Sequence, residues 1–275
     1  MLPNVLIVGA AKCGTTSLHE YLDRHPKVAM SGEKELDFFV EEKNWSRGVD
    51  WYASQLGEAP VRGESSPSYT VFPRYRGVPE RIRHVLPDAK LIYLVRDPID
   101  RIVSHFAHRQ VVRPGAIEDA FADPSRREGL VAPSRYWLQL ERYLEHFSDE
   151  QILVVDSDDL WTRRGETLAR VFRFLGVDPE FRAPAFAATH NTATQHARPN
   201  RAGRMVAGAL RRTLTPEQAQ TLRAHAPAVL KAPFRTRVEP PSLSPALREQ
   251  LAEELRGDVE RLRAHTGQAF AGWSL

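Results

Sequence analysis

The feature that most constrains the fold is a short apolar run that leads into a glycine-bounded loop and then a helix. Residues 4–8 are β-branched and apolar, which predicts a buried strand of the parallel type. The loop Gly9–Gly14 follows, and apolar spacing predicts a helix from Thr15 to Arg24, which Pro26 ends. Backbone N–H groups at such a helix start lack intrahelical partners and lie at the positive end of the helix dipole. The pattern favours a phosphate site, although threonine and serine also begin ordinary helices.

The loop carries a lysine at an unusual position. In the nucleotide-triphosphatase motif G-x-x-x-x-G-K-[ST], the lysine directly follows the second glycine. Here the spacing from Gly9 to Gly14 is kept, but Thr15 follows Gly14 and the lysine is Lys12. Only six of the 38 basic residues are lysines. A lysine is therefore less expected than an arginine to stand inside the motif by chance. Lys12 is therefore predicted to approach a bound anion from the loop, with the hydroxyls of residues 15–17 as further donors.

A second strand-to-helix junction carries an arginine and a serine. The run Lys90–Val95 predicts a buried strand, and Pro98–Gln110 predicts a helix that begins with proline. Arg96 stands between the two elements, and Ser104 follows two turns into the helix. Residues at the carboxyl ends of strands in an open α/β sheet face the ligand crevice. Arg96 and Ser104 are therefore candidates to bind a second anion; the alternative is a structural role for Arg96, in a pair with Asp97 or as a helix cap.

Strand and helix patterns alternate along the chain. Such alternation predicts a three-layer α/β fold with a central parallel sheet and helices on both faces. No linker divides the sequence, so we expect one domain over residues 1–275. Residues 63–69 and 111–133 are interpreted as turns and loops, because they combine proline, glycine and charge. The other predicted elements are strands at 28–30 and 151–155 and helices at 79–85, 135–147, 166–175, 204–214 and 244–265.

Composition excludes several classes of protein. The single cysteine, Cys13, permits neither a disulfide framework nor a cysteine-based zinc site, and the histidine spacing predicts no metal site. No apolar run approaches the ~18 residues that a membrane span needs, and the N-terminus lacks a signal-peptide pattern. The net charge of +3 suits an anionic ligand without requiring nucleic acid. We expect a protein of a reducing, cytoplasmic compartment, and the sequence leaves its oligomeric state open.

The motifs resemble those of the sulfotransferases that use 3′-phosphoadenosine 5′-phosphosulfate (PAPS). Residues 12–18 (KCGTTSL) resemble the 5′-phosphosulfate loop of that family. The junction at residues 96–105 resembles its 3′-phosphate motif, R-x-P-x-x-R-x-x-S-[HY]. Residues 33–39 (EKELDFF) are similar to the heparan sulfate sulfotransferase branch, and residues 64–69 (ESSPSY) resemble the S-P-x-Y segment. The resemblance covers roughly residues 4–178.

The resemblance implies a P-loop-like fold and a transfer of a sulfuryl group from PAPS, with PAP as product and no metal. It implies that Lys12 stabilises the leaving phosphate and that Glu35 is the general base for the acceptor proton. Asp37, Ser66 and Tyr69 are candidate acceptor-binding residues. The implied nucleotide-binding residues are Lys12, Cys13, Gly14, Thr15, Thr16, Ser17, Arg96 and Ser104.

The sequence departs from the heparan sulfate branch at three places. Some glucosamine-modifying members have a lysine where Ser65 stands and a histidine where Asp37 stands. Their late K-G-R loop has no match, and the nearest candidate is residues 190–201. The acceptor therefore does not follow from the resemblance. We expect a hydroxyl, with an amine as second choice, on a carbohydrate, a glycosylated metabolite or another small molecule.

Four further interpretations were left open by the residues. A P-loop kinase or NTPase with Mg-ATP would use Asp156, at the end of an apolar strand, as its magnesium ligand. A nucleotide-binding protein without catalysis would keep the loop but not transfer the group. Basic residues in 201–214 would allow docking on a membrane surface, against a solvated helix packed on the core. Cys13 either has a lowered pKa near the helix start or is a small loop residue.

Overall fold

A five-stranded parallel sheet forms the centre of the fold. The computed structural model describes residues 1–110, 115–187, 197–199, 205, 235–237 and 241–275. The strands are β1 (Val5–Gly9), β2 (Val28–Met30), β3 (Val61–Ser65), β4 (Lys90–Val95) and β5 (Ile152–Asp156), in the order β2-β3-β1-β4-β5. Every residue of β1 is buried, as expected for a parallel strand covered on both faces. A separate antiparallel pair joins β6 (Ala197–Pro199) and β7 (Arg235–Arg237).

Helices connect the strands. In the described part of the chain they are α1 (Thr15–Leu22), α2 (Gly48–Ser54), α3 (Val78–Val85), α4 (Pro98–Gln110), α5 (Ile117–Ala122), α6 (Pro124–Val131), α7 (Tyr136–Leu144), α8 (Ser157–Thr162), α9 (Arg164–Leu175) and α10 (Pro245–Thr266). None of the helices within those described ranges is long and apolar enough to cross a membrane.

The helices cover both faces of the sheet. The connection from β1 to β2 and the connection from β4 to β5 run in opposite directions across the sheet, so right-handed crossovers place their helices on opposite faces. On one face, His25 after α1 packs 4.9 Å from the Phe172 ring of α9. On the other face, α10 caps α7, because the Asp258 carboxylate accepts from the backbone N–H groups of Trp137 and Leu138 at 2.9 and 3.0 Å. The three-layer α/β prediction is confirmed.

The local predictions around the two anion motifs agree with the structure to within two residues: the strand predicted at residues 4–8 is β1, and the helix predicted from Thr15 to Arg24 is α1, which ends at Leu22. The strands at residues 28–30 and 90–95 and the helix at residues 98–110 have the predicted bounds. The predicted helix at residues 166–175 begins slightly earlier, at Arg164, and ends at Gly176, whose φ of 76° is left-handed. The predicted helix at residues 244–265 is α10.

Two regions interpreted as turns or loops are regular elements. Residues 61–65 form β3, which pairs with both β1 and β2, so the turn interpretation of residues 63–69 is wrong over its first part. Residues 111–133 contain α5 and α6, where the Asp123 carboxylate accepts from the N–H groups of Ser125 and Arg126 and Pro124 begins α6. The predicted helix at 204–214, apart from residue 205, lies outside the described residues. So does most of the stretch 190–201.

Candidate functional site

The loop between β1 and α1 places a lysine and a helix start at the carboxyl edge of the sheet. Gly9 ends β1 where only glycine fits, because a Cβ there would lie 1.9 Å from the Thr70 hydroxyl oxygen. Lys12 and Gly14 are left-handed, with φ of 75° and 89°. Gly14 precedes α1 without a side-chain cap, and a Cβ on it would lie 2.9 Å from the Trp161 indole. The first N–H groups of α1 are therefore available to an anion.

The side chains of the loop divide into buried and accessible ones. Thr16 is half-buried, whereas Ser17 is fully buried and its hydroxyl bonds the Tyr21 phenol. Cys13 is also fully buried, with its Sγ 3.6 Å from the Tyr136 hydroxyl. Burial raises the pKa of the Cys13 thiol to about 11. The reactive-thiol interpretation of Cys13 is therefore wrong, and the residue packs under the loop.

The pKa of Lys12 is shifted by burial and by several charged side chains around it. Burial lowers the pKa of its half-buried ammonium. The negative charge of Glu35 opposes that shift, whereas the positive charges of Arg96 and Lys34 add to it. Residues from the first loop, from the segment after β2 and from the end of β4 thus lie near one another. Their mixture of one carboxylate and several cations suits an anionic donor next to a proton acceptor.

Glu35 is the accessible carboxylate of this group. Its side chain is 58% exposed, and one of its oxygens lies 3.0 Å from the Lys34 ammonium. Its φ of 64° is left-handed, and its backbone N–H donates to the carbonyl of Ser65 at 3.0 Å. An acceptor hydroxyl can therefore reach the Glu35 carboxylate from solvent.

Asp37 is, in contrast, held by neighbouring side chains. Its carboxylate accepts from the Ser68 hydroxyl and from the Lys43 ammonium. Its backbone N–H donates to the Ser66 hydroxyl at 2.9 Å. The Lys43 ammonium also lies 5.4 Å from the centre of the Tyr75 ring. Asp37 therefore carries an ion pair at the edge of the site rather than a free carboxylate.

A buried carboxylate next to this segment was not singled out from the sequence. Glu64 is fully buried at the end of β3 and accepts hydrogen bonds from three hydroxyls, those of Tyr52, Ser66 and Tyr69, at 2.9, 2.5 and 2.5 Å. Burial raises the pKa of Glu64 to about 7, although these hydrogen bonds oppose the shift. The hydroxyls of Ser66 and Tyr69, expected to contact an acceptor, thus already have partners inside the protein.

Glu64 is expected to contribute a fall in the free energy of unfolding as the pH rises from about 4.5 to about 7. In that interval the unfolded chain releases the Glu64 proton while the folded chain retains it, so the unfolded state binds fewer protons. The loss is complete above pH 7 and amounts to about 3 kcal/mol. Glu64→Gln should remove this fall in the free energy of unfolding. A smaller fall should remain from Asp156, because burial raises the pKa of that carboxyl to about 6. Urea unfolding of both proteins between pH 4 and pH 8 measures the difference, and parallel curves would contradict the assignment.

Arg96 and Ser104, the candidates for a second anion site, lie at the junction of β4 and α4. Arg96 directly follows β4, and its guanidinium lies 3.5 Å from the exposed Asp100 carboxylate. An exposed pair of this kind is worth about 0–1 kcal/mol, so a phosphate can replace Asp100 at little cost. Ser104 is half-buried in the second turn of α4. The alternative pairing of Arg96 with Asp97 is wrong, because Asp97 has other partners.

Asp97 joins the start of α4 to the C-terminal segment. One of its carboxyl oxygens accepts from the N–H groups of Ile99 and Asp100, each at 2.9 Å. The other accepts from the backbone N–H and the hydroxyl of Ser274, at 2.5 and 2.7 Å. Trp273, the residue before Ser274, lies 5.7 Å from the Tyr136 ring. Local sequence patterns could not reveal this wall of the site, because its residues are far apart in the chain.

The second arginine of the motif, Arg101, makes its contacts inside the protein. Arg101 is fully buried and donates to the Ser134 hydroxyl and to the carbonyl of Leu130. Its guanidinium lies 3.2 Å from Nδ1 of His105. Burial and the neighbouring Arg101 lower the pKa of His105 well below its ordinary value, so the imidazole is neutral. Arg101 therefore fixes α4 against residues 130–134.

Asp156, the aspartate of the kinase interpretation, caps a helix. It is 6% exposed at the end of β5, and its carboxylate accepts from the N–H of Asp158 at 3.0 Å. This N-cap role accounts for an aspartate after an apolar strand without any role in nucleotide chemistry.

Comparisons with known proteins show which family the chain matches. Residues 2–226 match the family described as sulfotransferase domain. Over 192 residues the chain is 32% identical to human heparan sulfate glucosamine 3-O-sulfotransferase 5, covering 65% of this chain and 54% of that protein. Over 201 residues it is 30% identical to human bifunctional heparan sulfate N-deacetylase/N-sulfotransferase 2, covering 65% of this chain and 22% of that protein. The chain thus spans about half of the first relative and about a fifth of the second.

One solved structure has a similar fold along the whole chain. It is a sulfotransferase from Alicyclobacillus acidocaldarius, with a TM-score of 0.70, 24% sequence identity and full coverage of both chains. This likeness supports the α/β architecture with its central parallel sheet.

Proposed function

This chain belongs to the sulfotransferase family, and we propose that it transfers a sulfuryl group from PAPS to a hydroxyl of a carbohydrate, a glycosylated metabolite or another small molecule. Sulfotransferases of this family use PAPS as donor and release PAP. The observation that carries the proposal is that Glu35 and Arg96, which come from separate segments of the chain, both lie near enough to Lys12 for their charges to act on its ammonium.

The donor would be held at both of its anionic ends. The N–H groups at the start of α1, with Thr16 and Lys12, would bind the 5′-phosphosulfate. Arg96 and Ser104 would bind the 3′-phosphate, a group that ATP lacks. Two anion sites on neighbouring strands fix the direction of the nucleotide and thus the position of its sulfur atom.

The transfer needs a stabilised leaving group and a deprotonated acceptor. As the bond between sulfur and the bridging oxygen breaks, negative charge grows on the departing phosphate, and the Lys12 ammonium would stabilise it. Glu35 would take the proton of the acceptor hydroxyl as its oxygen attacks sulfur in line with the leaving oxygen. Sulfur passes to the acceptor, the proton passes to the Glu35 carboxylate, and the electron pair of the broken bond stays on PAP.

The relatives suggest which acceptors to test first. Their names specify glucosamine 3-O-sulfation and N-sulfation of heparan sulfate. We propose a glucosamine-containing oligosaccharide hydroxyl as the first candidate, with an amine as the second. Purified protein, PAPS and a panel of glucosaminyl oligosaccharides, N-unsubstituted glucosaminides and phenolic glycosides should give products that gain the mass of one SO₃ group. Absence of any such product across the panel, while PAP binding is retained, would contradict the proposed transfer.

PAP is expected to bind without Mg²⁺, and Arg96→Ala should weaken it by about 10–100-fold, as for loss of a hydrogen bond to a charged group. Adenosine 5′-phosphosulfate, which lacks the 3′-phosphate, should bind the variant as well as it binds the unaltered protein. Isothermal titration in EDTA measures both ligands, and Arg24→Ala, at an exposed arginine, is the matched control. Equal weakening of the two nucleotides would show that Arg96 does not bind the 3′-phosphate.

A further inference from the structure

We propose that Glu64 is a positioning residue that holds residues 35–39, here called the base segment, so that Glu35 faces the acceptor. The inference rests on the proposed function, because Glu64 would act on the reaction through Glu35. It is carried by a set of hydrogen bonds that run from the Glu64 carboxylate, through two hydroxyls, to the backbone of the base segment.

The base segment needs external support. It lies outside the helices and strands, and both Glu35 and Asp37 adopt left-handed backbone conformations, with φ of 64° and 50°. Such conformations are unfavourable for residues other than glycine and persist where the surroundings fix them. Three backbone N–H groups supply that support. They donate from Glu35, Asp37 and Phe39 to the Ser65 carbonyl, the Ser66 hydroxyl and the Tyr69 hydroxyl, at 3.0, 2.9 and 3.4 Å.

Two of these three acceptors depend on Glu64. The hydroxyls of Ser66 and Tyr69 each donate their only proton to a Glu64 oxygen, at 2.5 Å in both cases. Each hydroxyl oxygen then presents a lone pair to the N–H group of the base segment. A protonated Glu64 would bring an O–H of its own, so one of the hydroxyls of Tyr52, Ser66 and Tyr69 would have to turn its proton away and accept from Glu64 instead. Where that hydroxyl is Ser66 or Tyr69, its reoriented O–H group no longer holds a lone pair toward the N–H of Asp37 or Phe39.

The charge of Glu64 is therefore the part of the arrangement that requires explanation. Among the ion pairs found in the described ranges, none includes Glu64. The groups that face it are the hydroxyls of Tyr52, Ser66 and Tyr69, and the nearby charge of Asp37 is negative. A buried carboxylate without a cation lowers stability. The burial of this carboxylate is explained if its ionised form orients the hydroxyls that hold the base segment.

The chain offers a matched pair of variants that separates this role from simple packing. Tyr52 and Tyr69 both donate to the same Glu64 oxygen, but only the Tyr69 hydroxyl also accepts from the base segment. Replacing either residue with phenylalanine keeps the ring and removes one hydroxyl from Glu64. Tyr69→Phe should release the N–H of Phe39, whereas Tyr52→Phe should leave the base segment in place.

The experiment measures amide hydrogen exchange of the peptide that spans the base segment, together with kcat, KM and PAP affinity. We expect Glu64→Gln, Ser66→Ala and Tyr69→Phe to speed exchange at residues 37 and 39. The same variants should lower kcat by about 10–100-fold, as for a catalytic group displaced by about 1 Å. PAP affinity should change by less than about twofold, because the phosphate loop is untouched. The transfer reaction uses the panel acceptor with the highest turnover.

The readouts also distinguish this inference from the proposed base. If Ser66 acts through Glu35, Ser66→Ala should have no further effect on turnover in a Glu35→Gln background. Unchanged turnover in Glu35→Gln alone would remove Glu35 as base, and hydrogen exchange would still decide whether Glu64 holds the base segment. Equal effects of Tyr52→Phe and Tyr69→Phe, or normal exchange in Glu64→Gln, would overturn the positioning role.

Wild-type kcat should also rise as the pH passes about 7, and Glu64→Gln should lose that rise.

Discussion

Glu35→Gln is expected to lower kcat by about 10²–10⁴-fold, which is the usual contribution of a positioned general base. Glutamine keeps the size of the side chain and the backbone N–H that donates to Ser65, but it cannot take a proton. PAP affinity and the midpoint of thermal unfolding should stay close to those of the unaltered protein, because the Glu35 side chain is exposed. Turnover with the panel acceptor and titration with PAP measure the two effects.

The matched control for this variant is Glu33→Gln. Glu33 is also exposed and lies two residues earlier in the same segment. The loss of a carboxylate at residue 33 should leave kcat within about twofold of that of the unaltered protein, as for surface changes away from the site. If the two variants lost turnover equally, the effect would be a general one of surface charge rather than of a base at residue 35.

Lys12→Ala is expected to lower kcat by about 10²–10³-fold, as for removal of one group that stabilises developing negative charge. Alanine keeps a Cβ at this left-handed position and removes the rest of the side chain together with its ammonium. Charge on the bridging oxygen grows only as the bond to sulfur breaks, so kcat should fall more than PAP affinity does. Single-turnover kinetics with PAPS and titration with PAP separate the two quantities.

Lys27→Ala is the control for the loss of a lysine, since Lys27 is exposed and follows the end of α1. It should leave both kcat and PAP affinity unchanged. An equal loss of PAP affinity and turnover in Lys12→Ala would show that Lys12 binds the nucleotide in its ground state and adds nothing in the transition state.

The two anion motifs could be predicted from sequence because each is local. A β-branched run followed by a glycine-bounded loop and a helix start defines the first, and the run before Arg96 defines the second. Hydrophobic patterning within a few residues fixes such strands, and parallel pairing brings their carboxyl ends to one edge. The same patterns placed β4 and α4 at their correct bounds.

The third strand and the support of the base segment could not be predicted in the same way. β3 reads Val-Arg-Gly-Glu-Ser, and its glycine, arginine and glutamate remove the apolar signal although its last three residues are buried. Gly63 fits because a Cβ there would lie 2.6 Å from Val5, so the residue that suggested a turn is required by close packing. The role of Glu64 depends on hydroxyls contributed by α2 and by the turn after β3, which no local pattern relates.

The bond between Asp97 and Ser274 can form only after the ribosome has made α10 and the residues that follow it. The two residues are 177 positions apart, and Ser274 contributes both of its donors to the carboxylate. While a ribosome is still making α10, the first anion loop can already be in place, but the carboxylate after β4 still lacks these partners. Since contacts over such separations form slowly, the loop between β1 and α1 can be in place in a nascent chain before the region beside Arg96 is complete.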